Sequence, residues 1–353
     1  MTRTTQEETV PMKKVLVTGA GGYIGTMLVH ELVAHGYHVV ALDRFFFGEE
    51  KLADLSQTGL VELLRKDIRD IEEQDLEGVD AVCDLAALSN DPSGEIDPGL
   101  TEAINYKGRV RVAQKAKAAG VSRYLLSSSC SVYGGGGRSG GTLTESSAVG
   151  PLTTYARSTL AAEEETLPLS DAGFTVAALR NATVFGLSRR MRFDLVINLM
   201  VLTAVQKSRI IVMGGGRQWR PLVHVRDVAR AFRLALEAPA ERIGGEVFNI
   251  GLENFQVVGL AFLVREALPF HISVEMAPDD ADLRNYNVCF EKAQRVLGFE
   301  ADIRVEQGVH EIYEALKKGT TDDGPRSSTV NWYRSILEAK RLLDTIQLDG
   351  RII

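Results

Sequence analysis

Three glycines near the start of the chain have the spacing of a phosphate-binding loop. Gly19, Gly22 and Gly25 lie in the segment KVLVTGAGGYIG, residues 14–25. In such a loop the first glycine permits a tight turn, the second lets the backbone approach a pyrophosphate, and the third lets a helix pack on a strand. A helix that begins directly after the loop presents free N–H groups and the positive end of its dipole to the phosphates. The spacing therefore predicts a dinucleotide-binding site.

A carboxylate stands where this interpretation requires one. Asp43 follows the apolar run YHVVAL, residues 37–42, close to the spacing of about 20 residues expected for the acid that binds an adenosine ribose. Asp43 would repel a 2′-phosphate, which favours NAD over NADP, whereas the neighbouring Arg44 is of the type that accommodates such a phosphate. The three phenylalanines that follow, residues 45–47, either belong to the core, which we favour, or form a wall beside the adenine.

Strands and helices alternate around these residues. Apolar runs predict strands at residues 15–17, 37–42, 61–64, 79–85, 124–127 and 174–179, and helical spacing predicts helices at residues 24–33, 100–119 and 156–167. The alternation indicates an α/β fold, a Rossmann-type doubly wound parallel sheet with right-handed crossovers. Ligands of such sheets bind at the carboxyl ends of the strands. This edge should carry the loop at residues 66–68, the small residues 86 and 87, and the segment SSSCSVYG, residues 127–134.

The later segments suggest a smaller lobe. We divide the chain into a disordered leader (1–12), an NAD-binding domain with the catalytic residues (13–185), a mainly substrate-binding lobe with segments that return to the first domain (186–318), and a linker with a helical extension (319–353). Arg192, Arg220 and Arg284 are candidates to clamp a diphosphate, although a single arginine is more often part of a surface ion pair. In the extension, Trp332, Ile336 and Leu343 could dock a helix on its own domain or on a partner subunit.

The composition limits the class of protein. The chain has 353 residues and a net charge of -7, and an acidic protein lacks the basic stripe that tracks nucleic acid. Its three cysteines have no CxxC spacing, which predicts reduced thiols and no metal site. No signal peptide or membrane-spanning run is apparent, so we expect a cytoplasmic protein without a membrane partner.

The segments TGAGGYIG and SSSCSVYG, Asp43, Asn105 and a tyrosine that opens a helix together resemble the extended short-chain dehydrogenase/reductase family. More narrowly, the chain is similar to its NAD-dependent sugar-nucleotide epimerase and dehydratase branch, from about Lys13 to Leu316. The resemblance implies NAD as cofactor and a nucleotide-diphosphate sugar as substrate. It also implies a homodimer paired through the helices at 100–119 and 155–167, whose apolar faces are equally explained by burial within one subunit.

The resemblance assigns roles to individual residues. Tyr155 matches the tyrosine that exchanges a proton with a sugar hydroxyl, and Ser129 matches the hydroxyl that binds the reacting oxygen. The implied cofactor-binding residues are Gly19, Gly22, Tyr23, Ile24, Gly25, Asp43, Asp67, Ile68, Ala86, Ala87, Asn105 and Tyr155. The implied substrate-binding residues are Ser131, Asn181, Arg192, Arg220 and Arg284.

One catalytic position departs from the family pattern. The family has a lysine four residues after the tyrosine, where it lowers the tyrosine pKa, and Thr159 occupies that position here. A free tyrosine has a pKa near 10, so a nearby ammonium is the obvious way to favour the phenolate at neutral pH. Three explanations of Thr159 remain open. It is an inactivating substitution that was introduced, or the enzyme is slow. Alternatively, the oxidised nicotinamide and another group supply the positive potential that the lysine would provide.

Missing acids favour one reaction over others. Dehydratases of this branch carry an Asp-Glu pair where Cys130 and Ser131 stand, and the related decarboxylases place a Glu at the second of these positions. We therefore predict a 4-epimerase that removes and returns a hydride at sugar C4. The alternatives are a sugar-nucleotide 4-dehydrogenase or 4-ketoreductase and, from another class, a non-catalytic protein that binds NAD and a sugar nucleotide.

Overall fold

A computed structural model describes residues 13–135, 141–278, 284–348 and 350–351. The predicted leader, residues 1–12, lies outside these ranges. The strands are β1 (Lys14–Thr18), β2 (His38–Asp43), β3 (Val61–Arg65), β4 (Ala81–Asp84), β5 (Arg123–Ser129), β6 (Thr142–Leu143), β7 (Thr175–Asn181), β8 (Thr183–Phe185), β9 (Arg209–Val212), β10 (Trp219–His224), β11 (Glu246–Ile250), β12 (Glu253–Gln256), β13 (Ser273–Met276) and β14 (Asn287–Val288).

The α-helices lie between these strands. They are α1 (Tyr23–Ala34), α2 (Asp91–Gly94), α3 (Pro98–Glu102), α4 (Arg109–Ala118), α5 (Thr154–Thr166), α6 (Val196–Lys207), α7 (Val225–Glu237), α8 (Ala240–Ile243), α9 (Val257–Ala267), α10 (Glu291–Leu297), α11 (Val305–Lys318) and α12 (Thr329–Ile346). A π-helical turn at Ala103–Gly108 joins α3 to α4, so the helix predicted at 100–119 is one stretch of three helical segments. Within the described ranges, none of the helices combines the length and apolar character that a bilayer crossing requires.

The central sheet has seven parallel strands in the order β11-β7-β5-β4-β1-β2-β3. Its middle strands read as apolar runs because both faces of the sheet are covered. Val15 and Val17 of β1 pack into the core on one face, and Leu16 between them packs into the core on the other. The predicted doubly wound parallel sheet is confirmed.

Three small sheets lie beside the central one. They pair β12-β10-β8, β13-β9 and β14-β6. The second half of the chain also returns to the central sheet, because β11 forms its edge and α7 packs against α1. After β7, whose end pairs with the end of β5, the chain crosses directly into β8 of a small sheet. This crossing creates the cleft in which the predicted site residues meet.

Candidate functional site

A cavity of about 740 Å³ opens at the carboxyl ends of the parallel strands. Its volume is that of a pocket for a large small-molecule ligand. The cavity is lined by residues of the glycine loop, the ends of β2 to β5 and β7, the small sheets and, unexpectedly, the first turns of α12. One continuous space therefore joins the predicted cofactor and substrate residues.

The glycine loop has the tight geometry that its sequence predicts. Gly19 adopts a φ of +68°, and a Cβ on it would lie 2.9 Å from the backbone nitrogen of Ala86. A Cβ on Gly25 would overlap the carbonyl oxygen of Gly19. Gly22 donates its N–H to that same carbonyl at 3.0 Å, and α1 begins at Tyr23. A larger residue at Gly19 or Gly25 would force the loop away from the strand ends.

Asp43 is fixed beside this loop. Its carboxylate accepts the N–H of Gly21 at 3.0 Å and the N–H of Phe45 at 2.7 Å. Burial raises the pKa of Asp43, and these backbone N–H groups oppose the rise. The acid predicted to bind a ribose is therefore held in one orientation at the cavity wall.

Asp67, two residues after the end of β3, is a second acid at this part of the cavity. Asp67 lines the cavity and pairs with Arg69 at 2.7 Å and with Arg44 at 3.1 Å. The hydrogen bonds and charge of Arg69 lower the pKa of Asp67 to about 2. The charge of Arg44 is thus engaged by a carboxylate and lies over the Phe46 ring at 4.6 Å. Asp43 and the engaged Arg44 together fit NAD, with Tyr23, Ile24, Ile68, Ala86 and Ala87 also on the cavity wall.

Asn105 differs from the expectation that it contacts the cofactor. It is fully buried in the π-helical turn and is absent from the cavity lining. Its side chain accepts the N–H of Leu88 at 2.8 Å and donates to the carbonyl of Leu88 at 3.1 Å. Both polar atoms of the amide are satisfied by this loop, so Asn105 positions the cavity wall that follows β4.

Ser129 and Tyr155 meet at the end of β5. The Ser129 hydroxyl lies near enough to the Tyr155 phenol to lower its pKa, and it accepts the N–H of Ser131 at 3.1 Å. Tyr155 faces the cavity from the first turn of α5, which is capped by Thr153. Burial and then the nearby Asp91 raise the pKa of Tyr155, whereas Ser129, Arg109 and Arg192 oppose the rise. The hydroxyl pair is thus assembled as the sequence predicts.

Thr159 does not reach the cavity. It is buried one turn after Tyr155, and its hydroxyl donates to the Tyr155 carbonyl at 2.8 Å. The only cations that oppose the raised pKa of Tyr155 among its main influences are Arg109 and Arg192. Arg109 is itself buried and donates to the carbonyl of Ser127 at 2.8 Å and to Asp84 at 3.2 Å. Arg109 and Arg192 therefore lower the pKa of Tyr155 only in part, as a lysine at position 159 would, because both arginines are also bound to other groups.

Two unsatisfied polar groups face the same part of the cavity. The hydroxyl of Ser131 and the side-chain oxygen of Asn181 are buried without a hydrogen-bond partner among the described residues. Buried polar groups are normally hydrogen bonded, so these atoms are suited to ligand hydroxyls. Cys130 differs, because its thiol donates to the Arg180 carbonyl at 3.2 Å and burial raises its pKa.

The three predicted arginines all line the cavity. Arg192 pairs with Asp194 at 3.0 Å and donates to Ser89 at 3.0 Å. Arg220 donates to the backbone carbonyl of Arg284 at 2.6 Å, and Arg284 forms an ion pair with Asp91. The structure brings these charges to the side of the cavity that holds Tyr155.

Other lining residues were not predicted. Arg190, Thr329 and Tyr333 contribute to the wall near Asp43. Phe45 and Phe47 are buried, as the core interpretation expects, but Phe46 and Phe47 also line the cavity. Helical periodicity predicts α12, yet no local signal indicates which side of the protein it covers.

A doubly wound sheet with a glycine loop, a carboxylate after β2 and a hydroxyl pair at β5 defines a dinucleotide-binding enzyme fold. The chain belongs to the NAD dependent epimerase/dehydratase family, whose model matches residues 15–251. NAD is accordingly its cofactor, and the residues of the loop and of Asp43 fit it.

Curated relatives and solved structures support this membership. UDP-glucuronic acid decarboxylase 4 of Arabidopsis thaliana is 27% identical over 325 residues, which cover 90% of this chain and 71% of the relative. UDP-glucose 4-epimerase of Mycolicibacterium smegmatis is 28% identical over 322 residues, 86% of this chain and 98% of the relative. The structure of MoeE5 in complex with UDP-glucuronic acid and NAD superposes with a TM-score of 0.77 at 29% identity, covering 87% of this chain and 99% of that one.

Proposed function

We propose that this protein is an NAD-dependent sugar-nucleotide 4-epimerase. The observation that carries the proposal is that uncharged hydroxyl and thiol groups, and no further carboxylic acid, stand at positions 129–131 beside Tyr155. The neighbouring hydroxyls of Ser129 and Tyr155, which both line the cavity, suit proton exchange with one sugar hydroxyl. Elimination of water needs a further acid and base, and the neighbouring Cys130 and Ser131 offer a buried thiol of raised pKa and an uncharged hydroxyl.

The same residues argue against decarboxylation. The decarboxylases of this branch carry a glutamate where this chain has Ser131. Several curated relatives are decarboxylases, so overall similarity alone does not select the reaction. The local chemistry favours a reaction confined to one carbon, as in the 4-epimerase relative.

Each residue has a defined task in the proposed reaction. Bound NAD supplies a hydride acceptor that can also return the hydride. Ser129 holds the C4 oxygen, and Tyr155 accepts the C4 hydroxyl proton during oxidation and gives a proton back during reduction. For C4 to be inverted, the cavity would have to let the oxidised sugar present its opposite face to the nicotinamide before Tyr155 returns the proton. Removal of the proton is slow at neutral pH because burial raises the pKa of Tyr155.

The substrate lobe supplies the groups that would bind the nucleotide sugar. Arg192, Arg220 and Arg284 carry the positive charge for a diphosphate, since bidentate arginine contacts suit phosphate oxygens. Before binding, Arg284 is paired with Asp91, so a diphosphate must compete with that carboxylate. Ser131 and Asn181 would receive sugar hydroxyls. A homodimer paired through α4 and α5 is part of the proposal, and size-exclusion chromatography with light scattering tests it.

The deciding experiment adds a panel of UDP- and dTDP-sugars to the NAD-loaded protein. Product analysis by NMR should show the C4 epimer of one sugar without net NADH. Net accumulation of NADH would instead indicate a 4-dehydrogenase. Binding of a sugar nucleotide with neither NADH nor a new epimer, also in the Thr159→Lys variant, would indicate a non-catalytic binding protein.

A further inference from the structure

The first turns of α12 form part of the cavity wall. Thr329 and Tyr333 line the cavity, although α12 lies beyond the segment that matches the family model. The ring of Tyr333 packs 5.7 Å from that of Phe47 and edge-on to that of Phe46 at 6.1 Å. The Trp332 indole N–H donates to the Phe46 carbonyl at 2.8 Å. These contacts place α12 against the segment that follows Asp43.

The two halves of α12 differ in how much they contact the rest of the protein. At its start, Ser327 and Thr329 are buried, and the Ser327 carbonyl accepts the N–H of Phe193 at 2.8 Å. Towards its end, Leu342 and Ile346 are 61% and 51% exposed. Burial of apolar surface is the usual reason for a helix to dock. Here the apolar side chains near the end of the helix, Leu342, Leu343 and Ile346, are exposed, and the part that contacts the protein beside the cavity includes polar and aromatic side chains.

Arg190 connects this helix to the cavity. It is only 3% exposed, lies 3.5 Å over the Phe47 ring and donates from Nη2 to the Thr329 hydroxyl at 2.9 Å. Its Nε is buried without a hydrogen-bond partner, and no described carboxylate forms an ion pair with it. The charges of Asp194 and Asp43 act on Arg190 without forming an ion pair with it, and a buried cation that is not paired is costly. The unpartnered N–H therefore points to an anionic group of a ligand.

The position of Arg190 identifies the ligand. The chain just before it is attached to the first turn of α1, directly after the glycine loop, because the Ser188 hydroxyl donates to the Tyr23 carbonyl at 2.8 Å. Asp43 is one of the charges that act on Arg190. Arg192, two residues later, instead donates to Ser89 on the Tyr155 side. Arg190 thus belongs to the part of the cavity where the helix N-terminus favours cofactor phosphates.

We propose that residues 325–333 and Arg190 form a cofactor clasp that holds the adenosine diphosphate half of NAD. Tyr333 and Thr329 cover the adenosine side next to Asp43, and Arg190 places its N–H groups towards the pyrophosphate. The clasp slows release of the dinucleotide. Such retention suits a reaction in which the same nicotinamide returns the hydride, whereas a one-way dehydrogenase must release its cofactor in every turnover.

Release of NADH from the full-length protein tests the clasp without any sugar. Bound NADH is chased with excess NAD, and its fluorescence is followed by stopped flow. Tyr333→Ala should accelerate release roughly fivefold, the equivalent of about 1 kcal/mol of aromatic contact. Arg190→Met should accelerate it about tenfold or more, because hydrogen bonds to charged groups contribute about 1.5–3 kcal/mol. The matched control Leu342→Ala, on the exposed half of α12, should release NADH at the unmodified rate.

Hydrogen exchange provides a second measurement on the unmodified protein. NAD should slow amide exchange at residues 329–333 and leave residues 340–346 unchanged. The clasp would be overturned if folded Tyr333→Ala and Arg190→Met proteins released NADH at the unmodified rate. It would also be overturned if NAD left the amide exchange rates at residues 329–333 unchanged. If a variant fails to fold, the exchange result decides. Because no sugar is present, failure of the proposed 4-epimerase activity leaves this test unaffected.

Discussion

Thr159 donates its hydroxyl hydrogen to the carbonyl of Tyr155, one turn earlier in α5. The threonine therefore acts on the backbone of the catalytic tyrosine and leaves its phenol without the charge of a lysine. Burial then dominates and raises the pKa of Tyr155 above its ordinary value near 10. The oxidation half-reaction needs the phenolate, so its rate should increase with pH throughout the neutral range.

The Thr159→Lys variant should move this dependence to lower pH. An ammonium beside Tyr155 lowers the pKa of the phenol, and lowering that pKa by about one increases the phenolate fraction at pH 7 about tenfold. Single-turnover formation of NADH, measured against pH, reports the change. Thr159→Val removes the hydroxyl without adding charge and should keep the original profile. Identical profiles for the lysine and valine variants would contradict the role assigned to position 159.

Tyr155→Phe should bind NAD normally and lose turnover. Loss of a general acid and base reduces rates by about 10²- to 10⁴-fold. NAD affinity by calorimetry and epimer formation by NMR separate the two effects. Ser129→Ala serves as a comparison, because it removes the neighbouring hydroxyl but retains the proton carrier. Undiminished turnover in Tyr155→Phe would remove this residue from the mechanism.

Asp43→Asn should weaken NAD binding and reduce the preference over NADP. The Asp43 carboxylate is held by the N–H groups of Gly21 and Phe45, and loss of a charged hydrogen bond costs about 1.5–3 kcal/mol. Calorimetric titration with both dinucleotides should show at least a tenfold loss for NAD and a smaller loss, or a gain, for NADP. Asp54→Asn changes an exposed acid away from the cavity and controls for net charge. An unchanged ratio of the two affinities would refute the assignment of Asp43.

Local patterns in the chain locate the glycine loop and Asp43, which the structure brings together at the cavity wall. The glycine loop and Asp43 each depend on neighbours within one strand, turn and helix, so apolar periodicity and residue type locate them. The hydroxyl pair needs only the rule that parallel strands end at one edge. The prediction for Asn105 is less accurate, because residue type does not distinguish an amide that binds a ligand from one that holds a loop.

Contacts between distant segments account for what the sequence does not predict. Arg190 and Tyr333 reach the cavity only because the crossing after β7 and the return of α12 bring them beside Asp43. Neither residue lies in a motif, and both would be equally acceptable on an exposed surface. Trp332 contacts its own chain near the start of α12, whereas Leu343 is 39% exposed, so a role for Leu343 in docking the helix on a partner subunit stays a prediction.

Arg109→Met should destabilise the whole domain as well as the site. Arg109 and Asp84 form an ion pair that is almost completely inaccessible to solvent, and Asp84 also accepts hydrogen bonds from the hydroxyls of Thr18 and Tyr124. Removing one partner of a buried pair leaves an uncompensated charge and costs about 3–5 kcal/mol. Denaturant unfolding should show this loss, whereas Lys340→Ala, which breaks an exposed pair with Asp344, should change the free energy of unfolding by less than about 1 kcal/mol.

The double variant Arg109→Met/Asp84→Asn should recover part of the loss because the unpaired charge of Asp84 is gone. If Arg109→Met is as stable as the Lys340→Ala control, neither the ion pair with Asp84 nor the hydrogen bonds of Arg109 to the carbonyls of Asp84 and Ser127 stabilise the fold as predicted.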